Sequence, residues 1–150
     1  MTTLQKLFDQ EQIEHFSVKE VLEASNTKKY LESDIPPEIL LNIIPTIKVL
    51  DELREWYDFP IILNCSYRDK EHNKKVGGEK NSLHLSFNAI DFTVNNKNNL
   101  TLLFNHLNFQ DSIRHFSFLP KTGSMGLGLY NTFIHIDTRG TLGRKSPARW

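Results

Sequence analysis

Ile43, Ile47, Leu50, Leu53 and Tyr57 recur at intervals of three or four residues, a period that turns one face of a helix toward a core. Each such side chain stabilises the fold by roughly 1.5–3 kcal/mol when fully buried, before conformational entropy is counted. Pro36 and Pro37 open this main helix, because proline at a first helical position forfeits no hydrogen bond, and Asp58 to Pro60 close it. Pro45 lies inside the run and should either kink it or split it into two pieces; a kink is expected. Upstream, Leu4, Leu7, Phe8 and Ile13 suggest a short helix between Thr2 and Ile13. Ser17 and Glu20 have the spacing of a capping box, so a second short helix is expected over Val18 to Ala24. Ser25 to Asp34 is polar and reads as a loop, with Tyr30 and Leu31 available to dock.

Past the main helix the pattern shortens. Ile61 to Asn64 reads as a buried strand, and Asp69 to Val76 as a helix stopped by Gly77 and Gly78, which tolerate a left-handed turn. Ala89 to Val94, AIDFTV, is rich in apolar and β-branched residues and reads as a strand. After the turn NNKNN, a helix is expected over Leu100 to Leu107, capped by Asn98 or Asn99. Ser112 to Leu119 alternates as a strand would, Pro120 to Gly123 reads as a turn, and Gly126 to Tyr130 and Phe133 to Thr138 as two further strands. Alternation puts Phe133, His135 and Asp137 on one face of the last of them. The basic tail GTLGRKSPARW is rich in turn residues, and its Trp150 is expected to tuck back onto the body.

Composition narrows the class. A chain of 150 residues with 39% hydrophobic and 24% charged positions is sized for one globular domain, residues 1–150. Eighteen basic and eighteen acidic residues cancel, so net charge offers no argument for a nucleic-acid partner or for attachment to a cell wall by charge alone. A single cysteine, Cys65, excludes an internal disulfide. No signal-peptide core and no run near the ~20 apolar residues of a membrane span is visible, so a soluble monomer without membrane insertion is expected.

The candidate chemistry lies between Ser66 and Asp91, with a late complement at Phe133 to Arg139. His84 and Asp91 stand seven residues apart, too far for one helical face, so the first is expected on a loop and the second in the strand AIDFTV. His135 adds a third donor from another strand, and two imidazoles with one carboxylate suit zinc, whose catalytic sites keep the fourth position for water. Arg68, at the end of the strand IILN, is a candidate to grip a carboxylate, because a guanidinium fork meets two oxygens at once. The alternative is a surface ion pair with Asp69 or Glu71.

The segments SYRDKEHNKKVGG, NSLHL, AID and GLGLYNTFIHIDTRG, in this order and spacing, resemble the M15 family of zinc peptidases, in particular its D-Ala-D-Ala carboxypeptidases and phage peptidoglycan peptidases. The resemblance runs from about Phe16 to Trp150 and implies an α+β fold of the Hedgehog/DD-peptidase kind, a small antiparallel sheet carrying the zinc site with helices packed on one side. It implies zinc on His84, Asp91 and His135 and a peptidoglycan peptide as substrate, cut in an endolysin-like or carboxypeptidase-like way. The missing export signal then favours a phage or prophage protein made in the host cytoplasm and acting on the wall. His72 and Ser82 match family positions as candidate substrate contacts; His72 could instead be structural, and Ser82 could fix its loop by bonding a backbone group. Several members place a carboxylate three residues before the last zinc histidine, where this chain has Thr132. The nearest acid is Asp137, open to two roles, general base or partner of a ligand, with Arg68 as the other catalytic candidate. Two departures stand out: Cys65 and Ser66 replace Ser and Gly, and Phe87 replaces a Gly after the first ligand, where its bulk is expected to narrow the loop beside His84. Cys65 itself reads as core rather than as a fourth ligand. The rival functions are a non-catalytic, zinc-containing wall-binding module and a phage structural protein without metal.

Overall fold

The computed structural model describes residues 1–25 and 27–150, which form α1 (Thr3–Gln10), α2 (Val18–Leu22), α3 (Ile44–Tyr57), β1 (Ile61–Cys65), α4 (Lys70–Lys75), β2 (Ala89–Val94), α5 (Leu100–Ser112), β3 (Gly126–Leu129), β4 (Ile134–Asp137) and β5 (Ala148–Arg149). Asn26, within the loop expected at 25–34, lies outside the described residues. The fold is α+β, with strand order β1-β2-β4-β3-β5. The first four strands pair antiparallel, but β5 joins β3 in parallel, so the sheet is mixed and not purely antiparallel as expected. The tail alone makes the difference: it returns beside β3 and Trp150 donates its amide to the Leu127 carbonyl.

The sheet has two unlike faces because the alternation of its central strands is strict. Ile90, Phe92 and Val94 of β2 and Ile134 and Ile136 of β4 are buried in one apolar cluster with Leu50 and Leu53 of α3 and Leu103 and Leu107 of α5. Asp91, His135 and Asp137 take the opposite parity and share the other face. Local signals hold the helices in place. Ser17 and Glu20 form the expected capping box over α2, and Asp69 caps α4 by accepting from the His72 amide at 2.7 Å.

Four expectations on local structure are corrected. Pro45 does not kink one long helix; the run is divided into two pieces, the other outcome open to it. A 3-10 segment, Pro37–Ile43, leads into α3, and Pro45 stands in the first turn of α3, where its absent N–H had no partner to lose. Ser112 to Leu119 is no strand: α5 runs on to Ser112, Arg114 turns the chain with φ +51°, and Phe116 and Leu119 are buried through turns. The sheet edge next to β3 is already taken by β5, so no edge there was free for such a strand. β1, expected to be buried, is an edge strand with Ile62 43% exposed, and of the two docking candidates Tyr30 is buried whereas Leu31 is exposed. Among the described residues no helix is long and apolar enough to cross a membrane.

Candidate metal centre

Pairing brings the candidate donors together. Asp91 of β2 stands opposite His135 of β4, and Cys65 of β1 stands opposite Asp91 on its other side. His84 lies on the loop before β2. That loop is tied down by the Arg68 amide, which donates to the His84 carbonyl (3.1 Å), and by Ser82 Oγ, which accepts from the His84 amide (3.3 Å). β3 contributes by what it lacks: Gly126 and Gly128 stand opposite Asp137 and His135, so the glycines of GLGL fall on the parity of the site and its leucines on the other.

The two imidazoles converge on one carboxylate oxygen. Asp91 Oδ1 is 3.2 Å from His84 Nε2 and 2.9 Å from His135 Nδ1. The remaining nitrogen of each ring is held from behind. His84 Nδ1 meets the Ser66 carbonyl at 2.6 Å, and His135 Nε2 meets Asp137 Oδ2 at 2.9 Å. Metal-binding histidines are held this way, the far N–H donating to a carbonyl or carboxylate so that the near nitrogen keeps its lone pair for the metal. Nitrogen, nitrogen and carboxylate oxygen are also the donor types zinc takes.

Electrostatics couple His84 to Asp91. Burial opposes a charge on His84, yet the charge and hydrogen bond of Asp91 outweigh it and lift the imidazole from its ordinary 6.5 to about 10. Burial also works against ionisation of Asp91, but His84 and His135 together hold it below the usual carboxylate range. The His84 contribution to metal-free stability is therefore complete below pH 6.5 and is lost as pH rises toward about 10. The Asp91 contribution is complete above its ordinary 3.8 and is lost as pH falls below that. The metal-free protein is thus expected to show its highest Tm between these two ordinary values and to lose stability on the alkaline side. Saturating zinc, replacing the proton on Nε2, should flatten that alkaline limb. Melting curves across pH with chelator and with zinc check this, and identical alkaline limbs would remove the His84–Asp91 pair as the cause.

Cys65 is buried, as its strand position suggested, but on the other face of the sheet. The β1–β2 register shifts between Leu63 and Cys65, and this bulge turns Cys65 out of the helix-side parity and onto the site face beside Asp91. Cys65, His84 and Asp91 accordingly present donor atoms within 4.8 Å of one another. The sulfur, however, lies 3.6 Å from the Nδ1 that already faces Ser66, and it accepts from Arg68 Nε at 3.2 Å. His135, the third ligand expected from the sequence, lies outside that group, although its Nδ1 is 2.9 Å from Asp91 Oδ1.

Arg68 is not paired with Asp69 or Glu71. Its Nη2 lies 3.6 Å from Asp91 Oδ2 and its Nη1 lies 3.4 Å from Asn73 Oδ1, while Asp69 pairs with Lys28. The H-N-x-x-V-G-G motif builds this brace: Gly77 turns with φ +69°, and a Cβ on Gly78 would run into the Asn73 amide that holds the guanidinium. His72 has both ring nitrogens engaged, by Thr27 Oγ1 (2.7 Å) and the Tyr30 hydroxyl (2.9 Å), and burial, then Arg68, lowers its pKa. Phe87 does not narrow the loop. It adopts φ +50°, the backbone region glycine favours, and its fully buried ring packs edge-on against Tyr67 at 5.9 Å. A groove of about 680 Å³ runs past His84, Asp91 and His135, with Arg68 and Arg144, Tyr130 and Trp150, and Glu79 on its walls.

Sequence reasoning missed Arg139, Trp150 as a wall of the site, and the two glycines of β3. The only available signal was the period-two match between GLGL and the later HID. The family model described as Peptidase M15 matches residues 14–137, a span that includes Arg68, His84, Asp91, His135 and Asp137 and stops short of Arg139 and Trp150. Among curated proteins none matches the chain.

Proposed function

Because the chain belongs to the peptidase M15 family, we propose that it is a zinc-dependent peptidase of peptidoglycan, with a Hedgehog/DD-peptidase-like sheet, that cuts the stem peptide or its crosslink. The observation that carries the reading is the meeting of His84 Nε2 and His135 Nδ1 at a single oxygen of Asp91, with the far side of each ring already bonded. Zinc at such a site supplies Lewis acidity, polarising a peptide carbonyl and making water acidic enough to attack near neutral pH.

The chain's own residues supply the rest. Arg68 is braced by Asn73 at the edge of Asp91 and presents its fork to the groove, where it is proposed to hold a substrate carboxylate. Arg144, tied to the Asn81 carbonyl at 2.8 Å, adds positive charge farther along the same wall. Peptidoglycan stems carry several carboxylates and complement such a groove. Tyr130 and Trp150, each nearly half exposed and joined by an indole-to-hydroxyl bond of 2.8 Å, offer an apolar wall against which a peptide can lie. Ser82 and His72, with their bonds made inside the fold, are assigned the task of holding the loop and α4 rather than of touching substrate.

One observation favours a second reading, a wall-binding module that keeps the metal. Thr132 carries no charge, and both oxygens of Asp137 are engaged, so neither can accept a proton; among the described residues Glu79 is the one other acidic residue lining the groove besides Asp91. Digestion of purified murein, followed by mass spectrometry of the released peptides, separates the two. Peptides or D-Ala released by the zinc-loaded protein, and lost in a folded His84→Ala variant, support the peptidase. Intact murein in the presence of stoichiometric zinc turns the proposal over to the binding module.

A further inference from the structure

We propose that Arg139 and Gly126 are positioning residues of the metal centre, acting on His135 through Asp137; the inference rests on the reading that His84, Asp91 and His135 hold zinc. Asp137 is fully buried and receives three N–H groups from one residue. Arg139 Nε donates to Oδ1 at 2.9 Å, Nη2 to Oδ2 at 2.8 Å, and the Arg139 amide to Oδ1 at 3.1 Å. The fork and the amide leave Oδ2 turned toward His135, whose Nε2 it meets at 2.9 Å. A carboxylate saturated in this way can only accept from the imidazole, so His135 carries a proton on Nε2, which leaves Nδ1, the nitrogen on the Asp91 side, as the one that would give its lone pair to a cation.

Gly126 makes the arrangement possible. It stands opposite Asp137 in the ladder, and a Cβ built on it would lie 2.5 Å from Asp137 Oδ2 and 2.6 Å from both Arg139 Nε and Nη2. No side chain fits there while the fork is closed. The indole of Trp150, 5.3 Å from the guanidinium and 5.1 Å from the His135 ring, lies over both groups. Room at Gly126 and a fork from Arg139 thus fix where an imidazole points, although neither residue reaches the cation.

The test is zinc affinity, measured by competition with a chromophoric chelator on the full chain, beside the Tm of each protein without metal. Arg139→Lys keeps the charge and loses the fork, and Gly126→Ala fills the space; each is expected to weaken zinc about 10- to 100-fold, the range for removing an outer partner of a ligand. Arg139→Ala should do at least as much, and if it fails to fold the lysine variant still gives the reading. A merely structural role would lower the metal-free Tm and leave zinc affinity within about twofold of wild type, which overturns the proposal. Wild-type protein that binds no zinc overturns the metal reading itself, and this proposal with it.

Discussion

Asp91→Ala is expected to lose zinc binding by about two orders of magnitude or more and to abolish peptide release. Sharing the roughly 10–16 kcal/mol of a tight four-ligand zinc site among its ligands leaves about 3 kcal/mol for each, close to a factor of 100. Asp91 is worth at least that share, because it is the group on which both imidazoles converge and it also faces Arg68. The cost to metal-free stability should be smaller, about 1–3 kcal/mol, because His84, deprived of its counter-charge, sheds its proton rather than remaining a buried cation. Zinc titration and chemical denaturation of the same variant check both halves. Wild-type zinc affinity in a folded Asp91→Ala protein would exclude this carboxylate from the centre and leave the Cys65 side of His84 to be explored.

Arg68→Lys is expected to retain zinc and lower kcat/KM on murein peptides by about 10- to 1,000-fold. The lysine keeps a positive charge but cannot present two parallel N–H groups, and truncating a buried charge-assisted pair costs roughly 2–5 kcal/mol. Arg68 also donates to Cys65 and to Asn73, so part of the loss would come from a guanidinium no longer held at the groove. The separation of effects is the informative part. Unchanged zinc stoichiometry with reduced turnover places Arg68 on the substrate, whereas turnover within threefold of wild type would leave it as a brace for the His84 loop.

Local signals in the chain were reliable where one segment contained the whole cause. The capping box of Ser17 and Glu20, the helix opened by Asp69 and the stop at Gly77 each depend on residues within a few positions, and each formed as read. Strand parity was legible in the same way: AIDFTV and FIHID put Asp91, His135 and Asp137 on one face because side chains alternate in any extended segment. The reading failed where the cause lay in another segment. The alternating stretch at 112–119 stays outside the sheet, where the place beside β3 is taken by the tail, and a bulky residue at 87 is harmless because the chain turns its ring into the core.

By itself, then, the sequence determined the donor types, their order and the face each would occupy, because those follow from chemistry and from a period of two. Tertiary structure decided which nitrogen of each imidazole is free, that a bulge delivers Cys65 to the site face, and that Arg139 closes on Asp137 in the space left by Gly126. Those depend on strand register and on the distance between segments far apart in the chain, and no local pattern of residues encodes either.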